Sequence, residues 1–342
     1  MGVDAVAAVP GRGRIVRRAV LLVGALVALY LFIPTLGQVL SAWPRLAHLN
    51  LLWLAVAVGA EAGSFVCVWW LLALALRASS WFAIATSQLA GNALSRAVPA
   101  GAAAGAALQY RMLAASGIDA TAAGSALTAV TLMQLATLAA IPVLGLLLSL
   151  TGRPLNHGLQ AAAWVGLGAF VALVVVGAVL SSSDRAVAWI GAAIQWVRNR
   201  ARRRHPPLTG LPDELLAERD MVRRALGRRW GSALLASVGK WAFDYFALLA
   251  CLAAVGAQPD PGLVLLAYAA GAVLVMIPIT PGGLGFVEAG LTGVLTIAGV
   301  APGDAVLATL AYRMVSFWLP LPTGLGAYAV FRHRIRRPLP AA

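Results

Sequence analysis

The sequence is poor in charged residues and in the residue types that build catalytic or metal sites. Of its 342 residues, 11% are charged, two are cysteines and four are histidines. Cys67 and Cys251 each lie inside an apolar run without a CxxC or Cys/His partner spacing, which argues against a disulfide framework and a metal site. The motifs GxSxG and HExxH and the P-loop are also missing, so we predict no catalytic residues, no cofactor and no enzymatic activity.

Apolar residues dominate the composition instead. Hydrophobic side chains make up 61% of the chain and the mean hydropathy is +0.85, values that indicate a polytopic membrane protein. The formal net charge of +14 comes from arginines that cluster at the N-terminus, in the 198–230 loop and at the C-terminus. Because each cluster flanks apolar segments, it indicates membrane topology rather than nucleic-acid binding. We expect a multi-pass protein of the cell (inner) membrane, with that loop and both termini cytoplasmic.

The predicted fold is all-α, with about six full spans and two re-entrant broken hairpins. A span needs ~20 apolar residues, and such runs lie at about 18–40, 50–76, 118–150, 160–181, 231–256 and 304–331. The first could be a signal peptide, but it is long enough to span the bilayer and we predict a retained helix. Two further runs, 81–113 and 262–299, are interrupted by VPAG at 98–101 and ITPGG at 279–283.

The domain prediction places one membrane domain at 18–332, between a basic N-terminus at 1–17 and a tail at 333–342. In the 198–230 loop, Leu211, Leu215, Val222 and Leu226 would share one helical face. An amphipathic helix on the anionic inner leaflet and a solvated connector both fit this pattern.

The two interrupted segments superpose when the chain is shifted by 182 positions. Pro99 then falls on Pro281, Gly117 on Gly299, and Glu61 within one residue of Asp244. We predict a repeat A at about 50–150 and a repeat B at about 231–331. Because the copies would enter the membrane from opposite sides, they would form an inverted repeat like that of many transporters, with substrate bound between the copies.

Each interruption would end in a half-helix, beginning at about Ala100 and at about Leu284. Such a helix N-terminus, with unpaired N–H groups, attracts anions. Glycines at 282, 283 and 285 would let a ligand approach the backbone closely. Alternatively, Gly285, Ala289 and Gly293 form a small-residue stripe for helix packing.

Ionisable residues inside apolar runs point to a site because a charge at the bilayer centre costs at least ~2.5–3.5 kcal/mol unless it is paired or hydrated. Glu288 and Arg313 are predicted either to pair or to leave Arg313 free to hold a phosphate bidentately. Lys240 and Asp244, four residues apart, are either a compensating pair or functional groups. Glu288 and Asp244 are the expected proton carriers.

A polar stripe also follows the first arm of the first hairpin. Gln88, Asn92, Ser95 and Arg96 recur at helical spacing on one face. A polar stripe inside a hairpin predicts a water-filled groove, and Arg96 is a second candidate for binding phosphate.

Several motifs resemble the lysylphosphatidylglycerol synthase transmembrane family, the flippase-like domain, over about residues 18–332. They are Asp244-Tyr245, PITPGGLGFVEAGL at 278–291, Ala311-Tyr312-Arg313 and Phe317-Trp318-Leu319-Pro320. In that family the domain is fused, in the multiple peptide resistance factor, to a soluble aminoacyltransferase and translocates the aminoacylated lipid. The resemblance implies motif residues at Asp244, Pro281, Gly282, Gly283, Gly285, Glu288 and Arg313. The segment AGAAAG after Pro99 departs from the family's first-hairpin pattern, and without the soluble domain we do not expect lipid aminoacylation.

The expected function is the movement of a phospholipid or lipid-linked anionic headgroup between leaflets. Two alternatives stay open: a secondary transporter of a small solute, and a non-catalytic membrane partner of a lipid- or glycan-modifying enzyme. The expected partners are membrane lipids with an anionic headgroup and no nucleic acid, with a homodimer and a lipid-modifying enzyme as further options. The predicted substrate-binding residues are Arg313, Glu288, Gly282, Gly283, Gly285, Arg96, Asn92 and Asp244.

Overall fold

The computed structural model describes residues 49–77, 80–98, 101–149, 182–201, 207–276 and 281–336, with isolated positions between 164 and 179. Every regular element in these ranges is helical, which confirms the predicted all-α class. A 3₁₀ turn precedes α7, another lies at Pro281–Gly283, and a π turn lies at Met314–Trp318. The α-helices are α1 (Leu51–Leu76), α2 (Trp81–Ala97), α3 (Ala102–Ala115), α4 (Ala120–Ser149), α5 (Asp184–Ala201), α6 (Leu211–Leu226), α7 (Trp230–Ala254), α8 (Pro261–Met276), α9 (Phe286–Ile297), α10 (Pro302–Arg313) and α11 (Pro320–Arg336).

Four helical stretches in the described part of the chain are long and apolar enough to cross a membrane. They are α1, the Ala120–Ile141 part of α4, α7, and the continuous stretch Pro302–Ile335. They match four of the six predicted full spans. The span at 18–40 lies outside the described residues, and within 160–181 only isolated positions are described.

The two interrupted segments form two pairs of short helices. In the first pair, α2 packs on α3 so closely that a Cβ on Gly91 would stand 2.8 Å from the carbonyl oxygen of Gly105. In the second, α8 packs on α9, and a Cβ on Gly271 would stand 3.2 Å from Leu291 Cδ1. The second helix of each pair, which is the predicted half-helix, begins at Ala102 and at Phe286, two residues later than predicted. Residues 99–100 and 277–280 lie outside the described residues, and re-entry into the membrane stays a prediction.

Helices α1 and α7 pack against each other along their lengths and run antiparallel. The Asn50 amide, at the start of α1, donates to the carbonyl of Ala254 at the end of α7 at 3.1 Å. Further along, a Cβ on Gly63 would stand 3.0 Å from the Phe243 ring. Small residues allow this close helix approach, and the register places Glu61 opposite Asp244.

The same local geometry recurs at the 182-residue offset. Gly117 (φ 82°) ends α3 and Gly299 (φ 93°) follows α9, both in the left-handed conformation. After each glycine, an amide returns to the carbonyl five residues earlier, at 3.3 Å in the first copy and 3.1 Å in the second, as in a Schellman cap. Ala123 and Ala305 are both fully buried in the helices that follow. This recurrence supports the repeat, while its inverted orientation and its bounds stay predictions.

Residues 184–226, which include most of the basic 198–230 loop, contain two helices, α5 and α6. The predicted helix is present as α6, but the sequence did not predict α5, on which α6 packs. The Asn199 side chain ties them together by bonding the Leu208 backbone in both directions, at 2.9 and 2.8 Å. Helix α5 exposes Trp189 and Trp196, and whether this segment lies on the membrane surface stays open.

Candidate functional site

Arg313 and Glu288 form a buried ion pair. Arg313 Nε donates to Glu288 Oε1 at 2.6 Å, and the two residues are only 5% and 6% exposed. A second guanidinium nitrogen, Nη2, donates to the carbonyl of Gly282 at 2.9 Å. The predicted pairing is therefore present, and it joins the last span to the tip of the second hairpin. A role for Arg313 in phosphate binding stays a prediction.

Glu288 also caps the half-helix in which it lies. Its Oε2 accepts the Gly285 amide at 2.7 Å, three residues upstream, so the carboxylate faces the positive end of α9. The N-terminus that the sequence offers as an anion site is thus occupied by a carboxylate of the chain itself. An incoming anion would have to bind beside it or displace it.

Gly282 lies where a side chain would not fit. Its φ of 59° is left-handed, and a Cβ would collide with the Phe317 ring and stand 3.1 Å from the carbonyl oxygen of Arg96. Gly282 therefore lets the second hairpin tip pass between the last span and the end of α2. The alternative role of Gly285 and Gly293 is in a small-residue stripe for helix packing. A Cβ on either glycine would have no described neighbour within 4 Å.

Arg96 brings the first hairpin to the same place. Its Nη1 donates to the carbonyl of Ser316, and its guanidinium carbon lies 5.6 Å from the centre of the Phe317 ring. Arg313 lies 4.2 Å from the centre of the same ring, so one aromatic side chain contacts both cations. Arg96 makes no ion pair with any acid that the structure describes.

The Ser316 carbonyl is available because the helix changes pitch there. In an α-helix it would accept from the amide of residue 320, but that residue is proline and has no N–H. The chain forms a π turn instead, in which the Leu319 amide donates to the Met314 carbonyl at 2.9 Å. Arg96 satisfies the carbonyl that Pro320 leaves free.

Asp244 is the centre of a second polar cluster. Lys240 Nζ lies 3.1 Å from its Oδ2, which also accepts from the Tyr268 hydroxyl at 2.9 Å, while Oδ1 accepts from the Tyr312 hydroxyl at 2.6 Å. The predicted Lys240–Asp244 pair is thus present. Because its partners come from α7, α8 and α10, Asp244 joins three helices.

Glu61 belongs to this cluster and was absent from the predicted site. It is 6% exposed, and its Oε2 has no hydrogen-bond partner in the described part of the chain. Its carboxyl lies within hydrogen-bonding reach of Asp244, and Arg96 and Lys240 lie within electrostatic range. Two signals could have found it: it is the lone acid of its span, and it nearly matches Asp244 in the repeat.

The rest of the predicted polar stripe has partners on α1 and within α2. Gln88 accepts from the Trp69 indole at 3.1 Å, and the Ser95 hydroxyl bonds the Asn92 carbonyl at 2.8 Å. The Asn92 side chain makes no hydrogen bond with a described residue, and its role in binding stays a prediction. No group of three metal-ligating side chains occurs in the part of the chain that the structure describes.

The chain that carries this site matches a known family over most of its length. The pattern of the family described as Lysylphosphatidylglycerol synthase TM region matches residues 19–324. The chain belongs to this family. The match includes every predicted site residue, from Asn92 to Arg313, and confirms the resemblance carried by the sequence motifs.

Two proteins to which the chain is similar are described as membrane proteins. The chain is 34% identical over 89 residues to a UPF0104 membrane protein of Methanothermobacter thermautotrophicus, covering 26% of the chain and 25% of the relative. It is 32% identical over 107 residues to a UPF0104 membrane protein of Pyrococcus horikoshii, covering 31% of each. These matches thus span about a quarter to a third of the relatives, and the chain, like them, is a membrane protein.

Proposed function

We propose that the protein moves a phospholipid or lipid-linked anionic headgroup between the two leaflets of its membrane. The observation that supports this most directly is the position of Arg96. Its guanidinium lies where the ends of both hairpins meet, and it contacts a backbone carbonyl and an aromatic ring but no carboxylate. An arginine without a contacting counter-charge, inside a membrane domain, is suited to hold a phosphate through paired N–H donors.

The charges around it narrow the choice of ligand. The two clusters contain three acids and three bases. Four of these six residues form two ion pairs, Lys240–Asp244 and Arg313–Glu288. Arg96 is the remaining base. We therefore assign headgroup binding to Arg96, with Arg313 and Glu288 holding the second hairpin tip in place. The acyl chains would remain in the bilayer throughout.

The proposal is tested in proteoliposomes that carry fluorescent phosphatidylglycerol in the inner leaflet. The rate at which dithionite reduces this lipid reports its arrival outside. We expect the wild type to be several-fold faster than protein-free vesicles, and Arg96→Gln to lose about tenfold or more of the added rate, because the paired phosphate contact is lost. A wild-type rate equal to that of empty vesicles would sink the proposal.

Arg111→Gln is the matched control. It makes the same chemical change on an exposed residue of the other arm of the same hairpin, and it should keep the wild-type rate. Arg313 is unsuited to this test because removing it breaks the buried ion pair. Uptake of labelled glycerol phosphate without lipid movement would instead favour the solute transporter.

A further inference from the structure

Glu61 is the buried charged group that the proposed headgroup site leaves unused. Its side chain lies within α1, is more than nine-tenths buried, and leaves Oε2 without a partner among the described residues. An ionised carboxylate carries a large desolvation cost in such a place, which either a nearby cation or a bound proton offsets. The smallest ligand that satisfies this atom is therefore a proton.

The neighbouring acid strengthens this reading. Glu61 lies within hydrogen-bonding reach of Asp244, and Asp244 has both oxygens engaged by Lys240, Tyr268 and Tyr312. Two carboxyls so close together share one proton once the cations around them no longer offset both negative charges. Because Asp244 receives the donors that stabilise a carboxylate, Glu61 is the one that takes the proton.

The other charged or titratable groups around Glu61 come from α2, α7, α8 and α10. Two of these groups are cations. Lys240 forms an ion pair with Asp244, whereas Arg96 contacts no acid among the described residues. Glu61 and Arg96 are thus the acid and the base left over when the contacting pairs are removed. The full set is Arg96, Lys240, Asp244, Cys251, Tyr268 and Tyr312.

We propose that Glu61 binds a proton when Arg96 binds the anionic headgroup, so that one proton and one phosphate charge cross the membrane together. This deepens the proposed function and rests on it. In the empty site, ionised Glu61 balances Arg96 through space. When a phosphate binds Arg96, a second negative charge enters the cluster, and protonation of Glu61 Oε2 from the same aqueous side restores neutrality. The proton leaves on the other side with the headgroup.

Leaflet distribution tests the coupling. Short-chain fluorescent phosphatidylglycerol is added to the outer leaflet of proteoliposomes, and albumin extracts what stays outside. With one proton per lipid, an outer medium more acidic by one pH unit shifts the equilibrium about tenfold toward the inner leaflet. Because the proton and the singly charged lipid are neutral together, a valinomycin-set potassium potential has no effect. Protein-free vesicles give the passive background.

The matched variants are Glu61→Gln and Glu214→Gln. Both make the same change, but Glu214 is exposed on α6. We expect Glu214→Gln to keep the tenfold shift. With Glu61→Gln, whose side chain cannot titrate, the shift should vanish and any remaining movement should follow the potential. A full pH-driven shift with Glu61→Gln overturns the inference.

The failures can be told apart. If the wild type equilibrates lipid but follows the potential or a sodium gradient, the proton inference is wrong and the lipid transport proposal stands. If no lipid moves, the proposed function itself fails.

A binding measurement serves if Glu61→Gln does not fold. Dihexanoylphosphatidylglycerol is added to the wild type in weakly buffered detergent, and we expect uptake of about one proton per protein at saturation. Binding without proton uptake overturns the inference. Glycerol phosphate, added in parallel, separates recognition of the lipid from recognition of a free phosphate ester.

Discussion

Breaking the Arg313–Glu288 pair should destabilise the protein strongly, because each partner is almost completely buried. Arg313→Gln leaves the Glu288 carboxylate buried, with the Gly285 amide as its remaining donor among the described residues. Removing one partner of a buried pair costs about 3–5 kcal/mol, and the lost contact with the Phe317 ring places the expectation at the upper end. Glu288→Gln should cost less, about 2–3 kcal/mol, since Arg313 keeps the Gly282 carbonyl and the ring.

The assay is reversible unfolding in mixed detergent micelles, carried out as a double-mutant cycle. The double variant should lose less than the two single losses added together, with a coupling of about 2 kcal/mol. Arg219→Gln is the control: its nitrogen lies 2.6 Å from the Asp184 carboxylate, the same separation as in the buried pair, but the Asp184 side chain is 77% exposed. It should cost at most about 1 kcal/mol. Equal losses for Arg313→Gln and Arg219→Gln, or simple additivity in the cycle, would refute the reasoning.

Three further results are expected. Gly282→Ala should destabilise more than Gly285→Ala, although both have positive φ, because only the first would meet the Phe317 ring; thermal melts of the two variants compare them. Gly91→Ala should cost about 1–3 kcal/mol through its contact with α3, whereas Gly59→Ala, with nothing within 4 Å, should be neutral or stabilising by up to about 1 kcal/mol; similar melts for both would contradict the hairpin contact. Thr209→Cys, in a variant without the native cysteines, should react with a membrane-impermeant maleimide only from the cytoplasmic side; labelling in intact cells would reverse the predicted topology.

The sequence predicts those features whose free-energy cost depends on a few neighbouring residues. Four spans follow from apolar length, and both helix breaks follow from their prolines and glycines. Pairing of Arg313 with Glu288 is one of the two alternatives that the sequence offers, because isolated charges in a membrane span need a partner. In each case a few neighbouring residues, or a single energetic rule, carried the prediction.

The remaining features depend on residues that are far apart in the chain. The bond from Arg96 to the Ser316 carbonyl joins positions 220 residues apart, although Pro320 already shows that this carbonyl loses its usual donor. Whether Glu61 has a partner depends on side chains from other helices. Helix α5 was missed because its mostly apolar run from Ala186 to Val197 is shorter than the ~20 residues of a span and is flanked by arginines.

The isolated position of Glu61 has an evolutionary interpretation if the two halves arose by duplication of one segment. At the 182-residue offset Asp244 falls on Ala62, the neighbour of Glu61, and Lys240, Tyr268 and Tyr312 fall on Val58, Thr86 and Val130. One copy would then have kept the side chains that hold its acid in a fixed charge state, while the other copy carries small or apolar residues at those positions. The two carboxyls would then have taken different roles: Asp244 would join helices through its hydrogen bonds, and Glu61 would be able to change its charge.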